Sequence, residues 1–138
     1  MVRGSILVGY DGSDAARRAL VRAGELAAPG GEVLVTSVTR PLAHALDDEL
    51  YDPPSPAEAT ALLDEAATLL QSCDGSLRIA TRTDNGDPAE ALMRNAVEAH
   101  ADLIVVGARG RSFVARTLLG SVTEKLVAHA PCDVLVVR

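Results

Sequence analysis

Five short apolar segments alternate with four longer segments of helical periodicity, and this alternation is the strongest constraint on how the chain can fold. The apolar segments are SILVGY (5–10), EVLVTSV (32–38), SLRIATR (76–82), DLIVVG (102–107) and DVLVV (133–137). Three of them are nearly continuous Val, Ile and Leu, which is typical of parallel strands buried on both faces. Segment 76–82 alternates more and has the weakest strand signal. Repeated strand–helix–strand units predict a doubly wound α/β fold with a five-stranded parallel sheet and right-handed connections.

The intervening segments carry apolar residues at spacings of three and four, as amphipathic helices do. Ser55-Pro56 and Asp87-Pro88 each place a capping residue before a proline, with glutamate at the third helical position. Ser121–Glu124 is a further capping box and predicts Ser121 as the N-cap of the last helix. Pro29-Gly30-Gly31 and Ala130-Pro131 predict the ends of the first and last helices.

Composition narrows the class of protein. At 138 residues and 48% hydrophobic content, the chain suits one domain over residues 1–138. A net charge of −6 and an aromatic content of 2% argue against a nucleic-acid partner. No apolar run approaches the roughly 20 residues of a membrane span. Two cysteines form neither a disulfide framework nor a zinc cluster, so we expect a reduced, cytoplasmic domain.

The connection over 39–54 is too long for an ordinary loop between a strand and a helix. Between His44 and Glu58 the chain has five acidic residues and no Lys or Arg. Two interpretations stay open at this stage. The segment is either a solvated acidic insertion or a mobile cover over a ligand.

Topology predicts where a ligand would bind. Open α/β sheets bind ligands beyond the carboxyl ends of the strands, where the strand order reverses. If the order is 3-2-1-4-5, that crevice lies between the first and fourth strands. The loops that leave these strands are Gly9–Ser13 and the segment that begins Gly107-Ala108-Arg109-Gly110. Both are rich in glycine and lead toward a helix.

The second of these loops has the composition of a phosphate site. Glycine lets a backbone approach a phosphate closely, and the N–H groups of a helix start favour an anion. Ser121 and Thr123 add hydroxyl donors at the predicted helix start. Over residues 107–125 the basic side chains outnumber the acidic ones by three, although the whole chain has a net charge of −6. The cations are Arg109, Arg111, Arg116 and Lys125. The alternative interpretation is that the glycines only form turns, that Ser121 is an ordinary helix cap and that the basic side chains form a solvated face.

The nucleotide and hydrolase motifs that could compete with this interpretation are missing. The chain has no G-x-x-x-x-G-K-[ST], no G-x-G-x-x-G after the first strand and no G-x-S-x-G.

Three motifs resemble those of the universal stress protein family, and the likeness spans nearly the whole chain. Ile6–Ser13 resembles the family's first strand and turn. Gly107-x2-Gly110-x9-Gly120-Ser121 fits the G-x2-G-x9-G-[S/T] signature of its ATP-binding branch without a gap. Ala130–Val137 resembles the last strand.

The resemblance implies strand order 3-2-1-4-5 with helices on both faces, a homodimer and an ATP site. Asp11 would contact the nucleoside and the backbone of Val38 would contact adenine. Mg²⁺ or Mn²⁺ would bridge phosphate oxygens. The ribose and phosphates would be held by Gly107, Gly110, Gly120, Ser121 and Val122. We add Arg109 for its charge and Thr123 for its hydroxyl group.

The dimer also has a physical argument. In that strand order, segment 133–137 is an edge, and it is apolar without Lys or internal Pro. Unprotected edges invite pairing, so we predict two-fold antiparallel association through Val134, Leu135 and Val136.

The predicted function is that of a small ATP-binding regulatory protein of the stress response. We expect a binding protein rather than an efficient enzyme, because no histidine is placed as a base near the phosphates. The alternatives are a slow ATPase or a phosphoryl transferase, a binder of another adenine nucleotide such as cyclic AMP, and a nucleotide-independent dimeric interaction protein.

Overall fold

The computed structural model describes residues 3–39, 53–110 and 120–138. Strands and helices alternate along these residues. The strands are β1 (Arg3–Gly9), β2 (Ala27–Thr39), β3 (Arg78–Asn85), β4 (Leu103–Gly107) and β5 (Asp133–Val137). The helices are α1 (Asp14–Leu26), α2 (Pro56–Cys73), α3 (Pro88–Glu98) and α4 (Ser121–His129).

The strands form one sheet in the order β3-β2-β1-β4-β5, and all four neighbouring pairs are parallel. This confirms the predicted doubly wound fold and its strand order. Helices α1 and α2 cover one face of the sheet, and α3 and α4 cover the other. The connection out of β1 therefore goes to one face and the connection out of β4 to the other.

The central strand explains the continuous apolar pattern. Ile6 and Val8 pack into the core under α1 and α2, whereas Leu7 packs into the core under α3 and α4. All three are at most 1% exposed. Because both faces of β1 are buried, each successive residue must be apolar.

Strand β2 begins earlier than the predicted segment 32–38. Arg3 pairs with Ala27 but Ser5 pairs with Glu32, so the strand has a bulge where Pro29, Gly30 and Gly31 lie. Gly30 has a φ of 72°, a conformation that favours glycine. The same glycines therefore follow the end of α1, as predicted, and form the irregular first part of β2.

Strand β3 is an edge strand, which explains its weak sequence signal. It covers Arg78–Asn85 instead of the predicted 76–82, and most of its residues are exposed. The predicted caps Ser55 and Asp87 are confirmed, since each accepts a hydrogen bond from the N–H of Glu58 and Glu90 respectively. None of the helices described here is long and apolar enough to cross a membrane. Residues 40–52 of the long acidic connection lie outside the described residues.

Candidate functional site

The crevice predicted from topology lies at the carboxyl ends of β1 and β4. Val8 pairs with Val105 in the last register position recorded between these strands. Beyond it, the chain leaves β1 through Tyr10–Ser13 toward α1, and leaves β4 through Ala108–Gly110. Since α1 and α4 lie on opposite faces of the sheet, the chain turns to opposite sides after these two loops, and this reversal is where topology predicts a ligand crevice.

Asp11 lies in a turn whose conformation is set by local hydrogen bonds. Its Oδ1 accepts a hydrogen bond from the Ser13 N–H at 2.9 Å. Ser13 is the N-cap of α1, and its Oγ accepts from the N–H of Ala16 at 3.2 Å. Gly12 has a φ of 80°, which an L side chain rarely adopts. The carboxylate of Asp11 is therefore held just before the first turn of α1.

The glycines of the β4 loop lie against the turn that carries Asp11. A β-carbon added to Gly110 would lie 2.7 Å from Oδ2 of Asp11. One added to Gly107 would lie 2.8 Å from Cβ of Ala15 and 2.9 Å from its backbone carbon. A side chain on Gly107 would therefore meet α1 itself, whereas one on Gly110 would displace the carboxylate of Asp11. The predicted residues Asp11, Gly107 and Gly110 are thus brought together.

The start of α4 differs from the sequence prediction. The N-cap is Gly120, and Ser121 is an exposed residue of the first turn, so the prediction of Ser121 as the cap is wrong. The cap lies one residue earlier because Gly120 is bonded on both sides. Its N–H donates to the Ala108 carbonyl at 2.9 Å, and its own carbonyl accepts from the N–H of Glu124 at 3.0 Å.

Thr123 connects the start of α4 to the end of β4. It is buried, and its Oγ1 donates to the carbonyl of Gly107 at 3.0 Å. Val122 packs partly buried against the core. In the described part of the chain, α1, α2 and α3 each have a side-chain cap, whereas α4 begins at Gly120 without one. The first turn of α4 therefore keeps backbone N–H groups that no cap side chain satisfies.

Val38 lies on the far side of β1 from the β4 loop. It is 9% exposed, pairs with Asp84 of β3 and belongs to the core under α3 and α4. Thr39, the last residue of β2, donates through Oγ1 to the Asp84 carbonyl at 3.3 Å. Since β2 is the neighbour of β1, Val38 is at the carboxyl edge of the sheet beside the crevice.

The basic segment is only partly a feature of the crevice. Lys125 forms an ion pair at 3.3 Å with Asp87, the N-cap of α3, so its charge is directed toward that carboxylate. Arg109 is half-buried. Arg111 and Arg116 lie outside the described residues.

The histidines that can be located lie away from the crevice. His100 follows α3 and His129 is the last residue of α4. Helices that connect parallel strands run back along the sheet, so their carboxyl ends lie at the edge opposite the crevice. His44 falls outside the described residues.

Helix α2 contacts the Asp11 turn, which sequence reasoning missed. The Tyr10 hydroxyl donates to Oε1 of Glu65 at 3.2 Å, and Nε of Arg17 donates to the same oxygen at 3.2 Å. A β-carbon on Gly12 would lie 2.6 Å from Cδ2 of Leu62. Leu62 and Glu65 are three residues apart on one helix face, but only the fold could reveal what they contact.

Burial and the nearby Glu65 carboxylate raise the pKa of Tyr10 above its ordinary value. The phenol therefore stays protonated at neutral pH and acts as the donor in this hydrogen bond.

Three comparisons with known proteins all match this chain to universal stress proteins. The sequence pattern of the universal stress protein family matches residues 3–138. A universal stress protein of Thermus aquaticus is 38% identical over 139 residues, covering 97% of this chain and 98% of its own. A crystal structure of a universal stress protein in complex with cAMP is 35% identical, with a TM-score of 0.77 and coverage of 100% and 99%. The Archaeoglobus fulgidus universal stress protein in complex with dAMP is 22% identical, with a TM-score of 0.72 over all of both chains, a likeness of fold.

Proposed function

The chain belongs to the universal stress protein family, and we propose that it is an ATP-binding member with a regulatory role in the stress response. The observation that carries the proposal is the start of α4, which has no side-chain cap and is tied to the β4 loop beside Asp11. A helix start with free backbone N–H groups is suited to a phosphate.

The proposed ligand lies across the crevice. Its phosphates would meet the backbone of Gly120, Ser121 and Val122, with the side chains of Ser121 and Arg109 as further donors. The ribose would be contacted by Asp11, and adenine by the backbone of Val38 at the end of β2. Thr123 has a positioning role in this scheme, because its hydroxyl already donates to Gly107.

A divalent cation would be held mainly by the nucleotide. Among the described residues, no group of three His, Cys, Asp or Glu side chains could hold a metal ion. Mg²⁺ or Mn²⁺ would therefore bind phosphate oxygens, whose negative charge it neutralises, and Asp11 brings a carboxylate to the same crevice.

A second candidate ligand is cyclic AMP, since a relative of 35% identity has been crystallised with it. Both nucleotides share adenosine and a phosphate, so the same residues would contact either one. A comparison of the affinities of the protein for ATP and for cyclic AMP decides which of the two is the better ligand.

The test is a thermal-shift series on protein stripped of nucleotide, with ATP, ADP, cyclic AMP and GTP in Mg²⁺. We expect the adenine nucleotides to raise the unfolding temperature and GTP to have a smaller effect, because ligand binding stabilises the folded state. Gly120→Val is the matched variant. Among the described residues, the nearest atoms to a β-carbon there are the Ala108 carbonyl oxygen at 3.6 Å and Cα of Arg109 at 3.8 Å, which are ordinary contact distances. It should fold normally and lose the shift; an unchanged shift would contradict the site.

We also propose a homodimer through the edge of β5. Val134 and Val136 are half-buried in the single chain, and so are the strand's other apolar residues. The opposite edge, β3, is protected by charged side chains such as Arg78 and Arg82, which form ion pairs with Glu32 and Glu98. Equilibrium sedimentation should give a dimer at micromolar concentration, and a monomer would contradict this part of the proposal.

A further inference from the structure

Helix α2 contacts the Asp11 turn at two points on one of its faces. Leu62 fills the space beside Gly12 that a β-carbon would otherwise occupy. One turn further on, Glu65 accepts the hydrogen bond from the Tyr10 hydroxyl. The residues before and after Asp11 are therefore both in contact with α2.

Tyr10 is itself fixed at both ends. Its backbone N–H donates to the Thr36 carbonyl at 2.9 Å, which continues the pairing of β1 with β2. Its side chain is 2% exposed and belongs to the core under α1 and α2. At the other end of the ring, the hydroxyl donates to the same Glu65 oxygen that accepts from Arg17.

We propose that Tyr10 and Glu65 are positioning residues for the nucleotide site: their hydrogen bond fixes the backbone from which Asp11 reaches the ligand. The inference rests on the proposed function for its ligand but not for its geometry. Oδ1 of Asp11 accepts from the Ser13 N–H, and its Oδ2 lies 2.7 Å from the position of a β-carbon on Gly110. A small rotation of the turn would therefore displace the carboxylate from its place beside the β4 loop.

The first experiment is a double-mutant cycle on nucleotide affinity, with Tyr10→Phe, Glu65→Ala and the double variant. Each is titrated with ATP and Mg²⁺ well below its unfolding temperature, with folding verified by circular dichroism. Tyr10→Phe keeps the buried ring and removes only the hydroxyl. We expect each single change to raise Kd about two- to tenfold, the range of one net hydrogen bond, and the double change to add little.

Two controls separate positioning from a merely structural role. Glu65→Gln keeps an oxygen acceptor for the phenol, so it should restore affinity to within about twofold of the wild type. Glu25→Ala breaks the Arg22–Glu25 ion pair on α1 at 2.7 Å and should leave Kd unchanged. Wild-type Kd in both Tyr10→Phe and Glu65→Ala would overturn the proposal.

The second experiment needs no ligand. The Ser13 N–H donates to Oδ1 of Asp11, so its hydrogen exchange reports on the position of that carboxylate. Exchange at Ser13 should be faster in Tyr10→Phe and Glu65→Ala than in the wild type and Glu65→Gln. Unchanged exchange would overturn the positioning role, whereas a wild type that binds no adenine nucleotide would instead overturn the proposed function.

Discussion

Oδ2 of Asp11 lies where a side chain on Gly110 would be, since a β-carbon built on Gly110 would be only 2.7 Å from that oxygen. The loops that follow β1 and β4 thus approach each other, with the carboxylate of Asp11 on one side and the backbone of Gly110 on the other. The contact involves the tip of a side chain, which can move, rather than a rigid backbone. Substitution here should therefore affect the site more than the fold.

Gly110→Ala is the first prediction. The new methyl group would displace the Asp11 carboxylate, so nucleotide affinity should fall at least tenfold while the free energy of unfolding changes by less than about 1 kcal/mol. Calorimetric titration and urea unfolding measure the two quantities. Gly75→Ala is the control, because no atom of the described residues lies within 4 Å of its β-carbon position, and both quantities should stay unchanged. Full affinity in Gly110→Ala would argue against a role for Asp11.

Substitutions of the other two signature glycines should differ in their effect on stability, because the two positions have different neighbours. A β-carbon on Gly107 would meet Ala15 at 2.8 Å and backbone atoms at 2.9 and 3.0 Å, so Gly107→Ala must shift α1 against β4. We expect it to destabilise the fold by about 1–3 kcal/mol, as overpacking does. Gly120→Ala, whose nearest neighbour among the described residues lies at 3.6 Å, should be nearly neutral for stability. Similar urea midpoints for the two variants would contradict this packing.

Adjacent residues of β2 should respond in opposite directions to the loss of a hydroxyl. Ser37 is fully buried, and its Oγ has no hydrogen-bond partner among the residues described. Ser37→Ala removes this unsatisfied group and should stabilise the ligand-free protein by about 1 kcal/mol. Thr36 is equally buried, but its Oγ1 accepts from Nδ2 of Asn95 at 3.4 Å. Thr36→Val should therefore destabilise the protein. Urea unfolding compares them, and a loss of stability in Ser37→Ala would show that its hydroxyl has a partner.

The two cysteines should differ in reactivity. Burial, followed by the charges of Asp133 and Asp102, raises the pKa of the Cys132 thiol. A raised thiol pKa lowers the thiolate fraction at a given pH, and the thiolate is the reactive form. Cys73 is exposed, whereas Cys132 is half-buried. Iodoacetamide at pH 8, followed by peptide mass spectrometry, should modify Cys73 several-fold faster. Faster labelling of Cys132 would contradict its burial.

The sheet could be predicted from the sequence because the pattern of apolar residues in each strand reflects how far its two faces are buried. Ile6, Leu7 and Val8 are consecutive and apolar because β1 is covered on both faces. The family resemblance then supplied the strand order, which the structure confirms. With that order, the meeting of the Asp11 and Gly110 loops follows from topology.

Other details could not be predicted because they depend on packing between distant residues. Tyr10 and Glu65 are 55 positions apart, and no local pattern links a phenol to a carboxylate on another element. Ser121 has the sequence of a cap, but the bond from Gly120 to the Ala108 carbonyl moves the helix start by one residue. The bulge in β2 likewise depends on its pairing with β1.

Calorimetric titration of nucleotide-stripped wild-type protein with ATP in Mg²⁺ tests the nucleotide assignment most directly. The uncapped start of α4 beside Asp11 predicts saturable binding with a micromolar Kd and one nucleotide per chain. The absence of binding heat together with an unchanged unfolding temperature in excess ATP would contradict it. The glycines of the β4 loop would then serve only the close packing of α1, β4 and α4.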